Sequence, residues 1–134
     1  PVQDIITHVS IPMNTGKIVS GGPMMGKAMA NISSFVVKGM SSLLFLDENE
    51  TKRGEIFECL HCGKCLYACP MRLEPFLLHS LVLNGRFEEG EKNGLMNCIE
   101  CGSCQYVCPS NRPILDMIRM GKIKINALKR TQKK

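Results

Sequence analysis

Eight cysteines in 134 residues stand in two short runs, CLHCGKCLYACP from Cys59 to Pro70 and CIECGSCQYVCP from Cys98 to Pro109. Offset by 39 positions, the runs share seven of twelve residues: the four Cys, the Gly, the Tyr and the Pro. Each reads C-x2-C-x2-C-x3-C-P, the spacing by which bacterial-type [4Fe–4S] clusters are held on thiolates. On a wrapping loop, Cys at i, i+3 and i+6 can face one cubane, each thiolate taking one iron. The fourth Cys, closing into Pro, points away and reaches the neighbouring cluster, so two copies fit together as a crossed pair. The spacing therefore predicts one cluster on Cys59, Cys62, Cys65 and Cys108, and a second on Cys98, Cys101, Cys104 and Cys69. Gly63 and Gly102 remove a side chain where the loop hugs the cluster and aims N–H groups at sulfur. Pro70 and Pro109 end the loops and pre-set the turn into the next helical segment.

Other cysteine chemistries fit less well. Four disulfides would have about a hundred connectivities to choose from, yet each run crowds four Cys together and nothing suggests secretion. Zinc knuckles of the C-x2-C type would leave the third and fourth Cys of each run unexplained. A redox dithiol explains one motif and not two.

The remaining marked residues carry less. Tyr67 and Tyr106 occupy equivalent sites and are expected to pack on the cluster loops, with no redox role. His61 could hydrogen-bond a cluster sulfur, but its counterpart is Glu100, which favours solvent exposure. His8 and His79 lie on helical patterns as surface or satisfied core residues. Gly21 to Ala28 (GGPMMGKA) falls short of the phosphate loop G-x-x-x-x-G-K-[ST], because Ala28 lacks the metal-holding hydroxyl and Pro23 removes a cradling N–H. A tight turn accounts for it better. No G-x-G-x-x-G is present, so the sequence carries no dinucleotide fingerprint.

The elements that must position these motifs fall into two parts. Before about Asn49 there is no Cys, and the pattern is mixed α/β. Val2, Ile5, Ile6 and Val9 recur at helical spacing behind Pro1. Asn14-Thr15-Gly16 reads as a turn, Lys17 to Ser20 as a strand running into the glycine-rich segment, and Ser34 to Lys38 and Leu43 to Leu46 as further strands. Asp47 to Arg53 (DENETKR) is a polar connection and the expected domain boundary. Beyond it the chain is helical between its cysteine loops. Pro75 opens an apolar helical pattern through Phe76, Leu77, Leu78, Leu81 and Val82 that stops at Asn84-Gly85. Arg86 to Met96 adds a short, glycine-weakened helix. Pro113 starts a last one through Ile114, Leu115, Ile118, Ile123 and Ile125, loosened by Gly121. These apolar stripes are core.

Composition narrows the function classes. Hydrophobic content of 44% permits a packed interior. So small and cysteine-rich a chain needs staples. The stretch from Ile32 to Leu46 is broken by Lys38 and four serines, so no transmembrane segment of about 18 apolar residues is present. No signal-like segment opens the chain, and a start at Pro1 reads as a processed or excised piece of something longer. The net charge of +5 lies in the tail: after Asp116 come Arg119, Lys122, Lys124, Lys129, Arg130, Lys133 and Lys134, with no acidic residue. That is a solvated end without interleaved aromatics, and no nucleic-acid partner is expected. Two oxidised clusters at about −2 each, thiolates included, would bring the loaded chain close to neutral.

Gly21-Gly22-Pro23-Met24-Met25-Gly26, then Phe35-Val36-Val37-Lys38-Gly39, then two motifs ending in Cys108-Pro109-Ser110, together resemble RnfC. That is the peripheral subunit of the Rnf complexes, ion-translocating ferredoxin:NAD oxidoreductases. The resemblance spans roughly Pro1 to Lys129. It implies an α+β chain, with a partial ligand-binding β-grasp (SLBB-like) segment over 1–49. An α-helical ferredoxin domain with two [4Fe-4S] clusters and a basic C-terminal tail follows over 50–134. It also implies FMN and NADH sites upstream of this segment, matched by no residue here, so no residue is assigned a catalytic role. The implied partners are other redox subunits of a membrane complex and a soluble ferredoxin. The implied place is cytoplasmic, peripheral to the inner or plasma membrane. The cobalamin reductase of propanediol microcompartments is similar in architecture, but the C-I-E-C-G and C-P-S wording favours RnfC.

Three functions are weighed from the sequence. The first is an electron wire through two clusters. The second is a docking module whose clusters only staple the fold. The third places the basic tail from Arg119 onward on an anionic membrane surface or an acidic partner.

Overall fold

In the computed structural model, which describes residues 1–11, 14–52 and 54–132, the chain divides into two units, Pro1–Gly54 and Glu55–Lys134. In the first, α1 (Val2–His8) follows Pro1, and only Val2 of its apolar positions is fully buried. Strands β1 (Thr15–Ser20), β2 (Lys27–Ala28) and β3 (Leu43–Asp47) form an antiparallel sheet in the order β2-β1-β3. Val19, the buried residue of the central strand, stands opposite Ala28 on one side and Leu44 on the other. The glycine-rich segment is the turn of the β1–β2 hairpin, closed by the Gly26 N–H donating to the Gly22 carbonyl at 2.7 Å. That agrees with the tight-turn reading.

Three expectations need correction in this unit. Only Asn14 is in a turn; Thr15 and Gly16 already belong to β1, where the pairing with β3 shifts register between Thr15 and Lys17. Ser34 to Lys38 is not a strand. Its Ser34 carbonyl accepts from Val2 N–H at the start of α1, Met40 turns back onto Val37, and Phe35, Val36 and Val37 are exposed. With a helix end for a partner instead of a sheet edge, β-propensity has no ladder to act in. The polar segment after Leu46 is also more than a connection. Asp47 caps α2 (Glu48–Thr51), accepting from the Asn49 and Glu50 amides, while the Glu50 carboxylate accepts from Asp47 N–H at 3.2 Å. This reciprocal box suits the acidic run better than a coil does. Arg53 lies outside the described residues.

The second unit is all helical. Its elements are α3 (Lys64–Tyr67), α4 (Pro75–Leu83), α5 (Phe87–Lys92), a 3-10 turn at Leu95–Asn97, α6 (Ser103–Tyr106) and α7 (Ile114–Gln132). Pro75 opens α4 as expected, and Leu78, Leu81 and Val82 are buried. The core joins Leu78 and Val82 of α4 to Leu95 and to Ile114, Ile118 and Ile125 of α7, with Cys104 among them.

Gly121 does not loosen α7, which runs unbroken through it. A Cβ there would stand 2.5 Å from Val82 Cγ2 and 3.1 Å from Leu95 Cδ1, so the missing side chain lets α7 lie close on α4. Both neighbours are buried and Val82 is stiff at χ1. Gly121→Ala is therefore expected to cost about 1–3 kcal/mol in overpacking, against about 1 kcal/mol gained in helix propensity. A melting temperature that stays level or rises in the variant would contradict the close approach.

The repeat extends beyond the cysteines into the backbone. Left-handed φ recurs in pairs at the 39-residue offset: His61 and Glu100, Gly63 and Gly102, Arg72 and Asn111. The helices that follow, α3 with α6 and α4 with α7, also begin at that offset. The loops before them are thus two copies of one shape.

Candidate metal centres

Each cysteine loop wraps through two left-handed residues before a one-turn helix carries its third Cys. Gly63 (φ 73°) and Gly102 (φ 82°) take that conformation at no steric cost, as the loop requires. His61 and Glu100 take it with a side chain attached, which is uncommon and has no signal in the sequence.

All eight Cys are free thiols. Cys59, Cys62, Cys65 and Cys108 line one cavity of about 340 Å³. Cys69, Cys98, Cys101 and Cys104 line a second, much narrower one of about 20 Å³. The fourth Cys of each motif thus stands with the first three of the other. Two hydrogen bonds bring the motifs together at the first cavity: Phe57 N–H donates to the Ser110 carbonyl at 3.1 Å, and the Asn111 side chain to the Glu55 carbonyl at 3.1 Å. They lay the strand-like lead-in to Cys59 beside the end of the other motif.

The electrostatics follow this grouping in part, since Cys104 also feels Cys65 of the other set and Lys122 partly offsets the rise at Cys98. Burial pushes the Cys65 thiol up, with Cys59 and Cys108 adding as like-charged neighbours. Burial likewise raises Cys98, and it pushes Cys104, with help from Cys98 and Cys101, up to about 12. Thiols so crowded stay protonated unless a cation takes the proton's place, so metal binding here releases protons. Backbone amides already point at sulfur: Leu73 N–H at Cys69 Sγ and Glu100 N–H at Cys98 Sγ, both 3.4 Å. By number and chemistry the eight thiols suit two thiolate-bound clusters, but among the described residues no group of three or more stands close enough to hold a metal ion without rearrangement. The first cavity has the room; in the second a cubane must push the walls apart.

Several residues around these cavities differ from expectation. Tyr67 and Tyr106 are 89% and 78% exposed, so neither is packed into the unit, although the Tyr67 ring edge lies over Gly63. His61 is exposed as expected and meets Phe76 edge-on. Glu100 is not its solvated counterpart. Its carboxylate accepts from Arg119 and from Lys122, each at 3.0 Å, and Lys122 also donates to the Cys98 carbonyl at 2.6 Å. Burial alone would raise the Glu100 carboxyl, but the hydrogen bonds from Lys122 and Arg119 hold it below the usual carboxylate range. Lys129 pairs with Glu91. The basic tail is therefore tied down at three points and is not simply a solvated end. Lys133 and Lys134 lie outside the described residues.

His8 is exposed, but His79 is buried on the wall of the first cavity, 3.3 Å from the Arg112 guanidinium. Burial and that neighbouring charge push its pKa down, so the imidazole is neutral and its Nδ1 accepts from Arg112. Arg112 had no mark in the sequence, since its partner is remote along the chain.

Residues 52–109 match the family described as a 4Fe-4S dicluster domain, and residues 25–74 match a second family of the same description. This chain is thus a two-cluster [4Fe–4S] protein. It is 41% identical over 127 residues to the C subunit of the ion-translocating oxidoreductase complex of Rhodobacter capsulatus, covering 94% of this chain and 24% of that protein. It is 38% identical over 131 residues to the C subunit of the Na(+)-translocating ferredoxin:NAD(+) oxidoreductase complex of Acetobacterium woodii, covering 97% of this chain and 30% of that protein. The C subunit of the proton-translocating ferredoxin:NAD(+) oxidoreductase complex of Clostridium ljungdahlii shares 42% over 76 residues, 57% of this chain and 17% of its own length. Over the segment it spans, the chain belongs to this RnfC family of ion-translocating oxidoreductase subunits. It spans less than a third of the length of these relatives. Among the described residues no helix is long and apolar enough to cross a membrane.

Proposed function

We propose that this chain is the electron-transfer segment of an RnfC-type protein, with one [4Fe–4S] cluster on Cys59, Cys62, Cys65 and Cys108 and another on Cys98, Cys101, Cys104 and Cys69. The gathering of one remote Cys into each cavity carries the assignment. When bound, such clusters take up and release single electrons. The chain's part is to supply thiolates, aim amides at their sulfurs and keep water from the inner set, where Cys104 is buried. Its partners in this reading are the other redox subunits of the complex and a soluble ferredoxin, on the cytoplasmic face of the membrane. FMN and NADH are held by other parts of the whole protein. The small antiparallel sheet and helix of the first unit support reading residues 1–49 as part of an SLBB-type β-grasp.

Anaerobic preparations are expected to hold about 8 Fe and 8 acid-labile sulfides per chain and, on reduction, to give EPR signals of two interacting [4Fe–4S]⁺ centres. Stoichiometric zinc without sulfide would end this reading. Clusters that resist dithionite and pass no electrons would favour the docking module instead.

A further inference from the structure

Three charged side chains clasp the second cysteine loop to α7. Glu100, which lies between Cys98 and Cys101, accepts from Arg119 and from Lys122, each at 3.0 Å. The Lys122 ammonium also donates to the Cys98 carbonyl at 2.6 Å, so the backbone of a ligand residue holds it too. None of the three side chains is more than 30% exposed, and Lys122 is only 16% exposed. Charges so withdrawn from water are a weak source of stability, because desolvation offsets much of their attraction. Nor does the loop need them for its shape. At the equivalent positions of the first motif, 39 residues earlier, stand His61, Ser80 and Leu83. Yet His61 and Gly63 repeat the left-handed conformation of Glu100 and Gly102.

We infer that Lys122, fixed by Glu100 and by the Cys98 carbonyl, sets the reduction potential of the cluster held by Cys98, Cys101 and Cys104. Reduction adds one electron and makes the cluster more negative, so a cation fixed beside a ligand favours the reduced form. Glu100 acts in two senses. Its amide donates to Cys98 Sγ at 3.4 Å, which favours negative charge on the sulfur, while its carboxylate opposes that charge. The Cys98 thiol already responds to each of these groups. Burial raises it; against this the Glu100 amide and then the Lys122 ammonium favour the thiolate, and the Glu100 carboxylate disfavours it. The Lys122 and Glu100 side chains thus grip each other but act on Cys98 with opposite signs. A clasp that only fastened α7 to the loop would behave otherwise, since losing either partner would loosen it alike.

This inference rests on a cluster at Cys98, as proposed above, and holds whichever fourth cysteine completes that cluster. Potentiometric EPR on the anaerobically purified full chain is the test, with Cys98→Ser marking the signal to follow. Lys122→Met is expected to keep about 8 Fe. It should lower the marked potential by about tenfold in the reduction equilibrium, or about 59 mV. Lys122→Arg, which keeps the charge, is expected to restore most of that. Glu100→Gln leaves Lys122 on the Cys98 carbonyl and is expected to raise the same potential by a smaller amount. Shifts of the same sign in Lys122→Met and Glu100→Gln would mark a loosened loop instead of a lost charge, and would overturn the proposal. Unchanged potentials, a shift confined to the other signal, or loss of iron from Lys122→Met would overturn it as well. If the unaltered chain held no second cluster, or Cys98→Ser changed neither signal, the cluster reading itself would fall.

Discussion

Cys108→Ser is expected to destroy or strongly perturb the cluster held by the first motif, while the three-cysteine loop of its own motif keeps its cluster. Iron should fall from about eight towards about four per chain, and one of the two interacting EPR signals should vanish with its coupling partner left as an isolated centre. The expectation follows from where the side chains gather. Cys108 shares its cavity with Cys59, Cys62 and Cys65, and it adds to the rise of the Cys65 thiol. The reciprocal variant, Cys69→Ser, should leave the first cavity loaded and disturb the second, which Cys69 lines with Cys98, Cys101 and Cys104. Serine is nearly isosteric but a much poorer soft-metal ligand, so the change tests ligation more than packing. A Cys108→Ser protein that lost only the Cys98, Cys101 and Cys104 cluster would contradict the crossing.

The two cysteine runs and the backbone shape they share were legible in the sequence because both rest on local spacing repeated twice. The sequence carried α4 for a similar reason, with Pro75 at the start, Asn84-Gly85 at the end and an apolar pattern between. What it did not carry depends on partners remote along the chain. Phe35, Val36 and Val37 look like a strand until their backbone is seen to meet α1 instead of a sheet edge. Gly121 looks like a helix breaker until Val82 and Leu95 are found against it. Glu100 and His61 occupy equivalent left-handed positions, yet one is clasped by α7 and the other is exposed, because only the second motif lies where Arg119 and Lys122 can reach. The His79–Arg112 contact likewise joins two helical regions that no periodicity links. A repeat in sequence fixes what the two loops share; the asymmetry between them comes from what each happens to touch.

Removing both clusters is expected to unfold the second unit, not merely to silence it. Among the described residues its buried apolar side chains are Leu78, Leu81, Val82, Leu95, Ile114, Leu115, Ile118 and Ile125 with Cys104, a small set for a unit running from Glu55 to Lys134. Domains this small depend on staples. In the crossed assignment each cluster ties one motif to the other, closing loops of about 50 and about 30 residues. By the chain-entropy estimate for cross-links, each closure contributes about 4 kcal/mol. Together they match or exceed the whole stability of many small domains, about 5–15 kcal/mol. Far-UV circular dichroism of the chelated, acid-stripped chain should therefore show most of the α4 and α7 signal lost, with no cooperative thermal transition from this unit. The β1–β3 sheet and α1 lie in the other unit and contain no cysteine, so their signal should persist. An apo chain that kept its helices and melted cooperatively would mean that the Leu78–Ile118 core is sufficient alone, and the clusters would then be passengers of the fold instead of its fastenings.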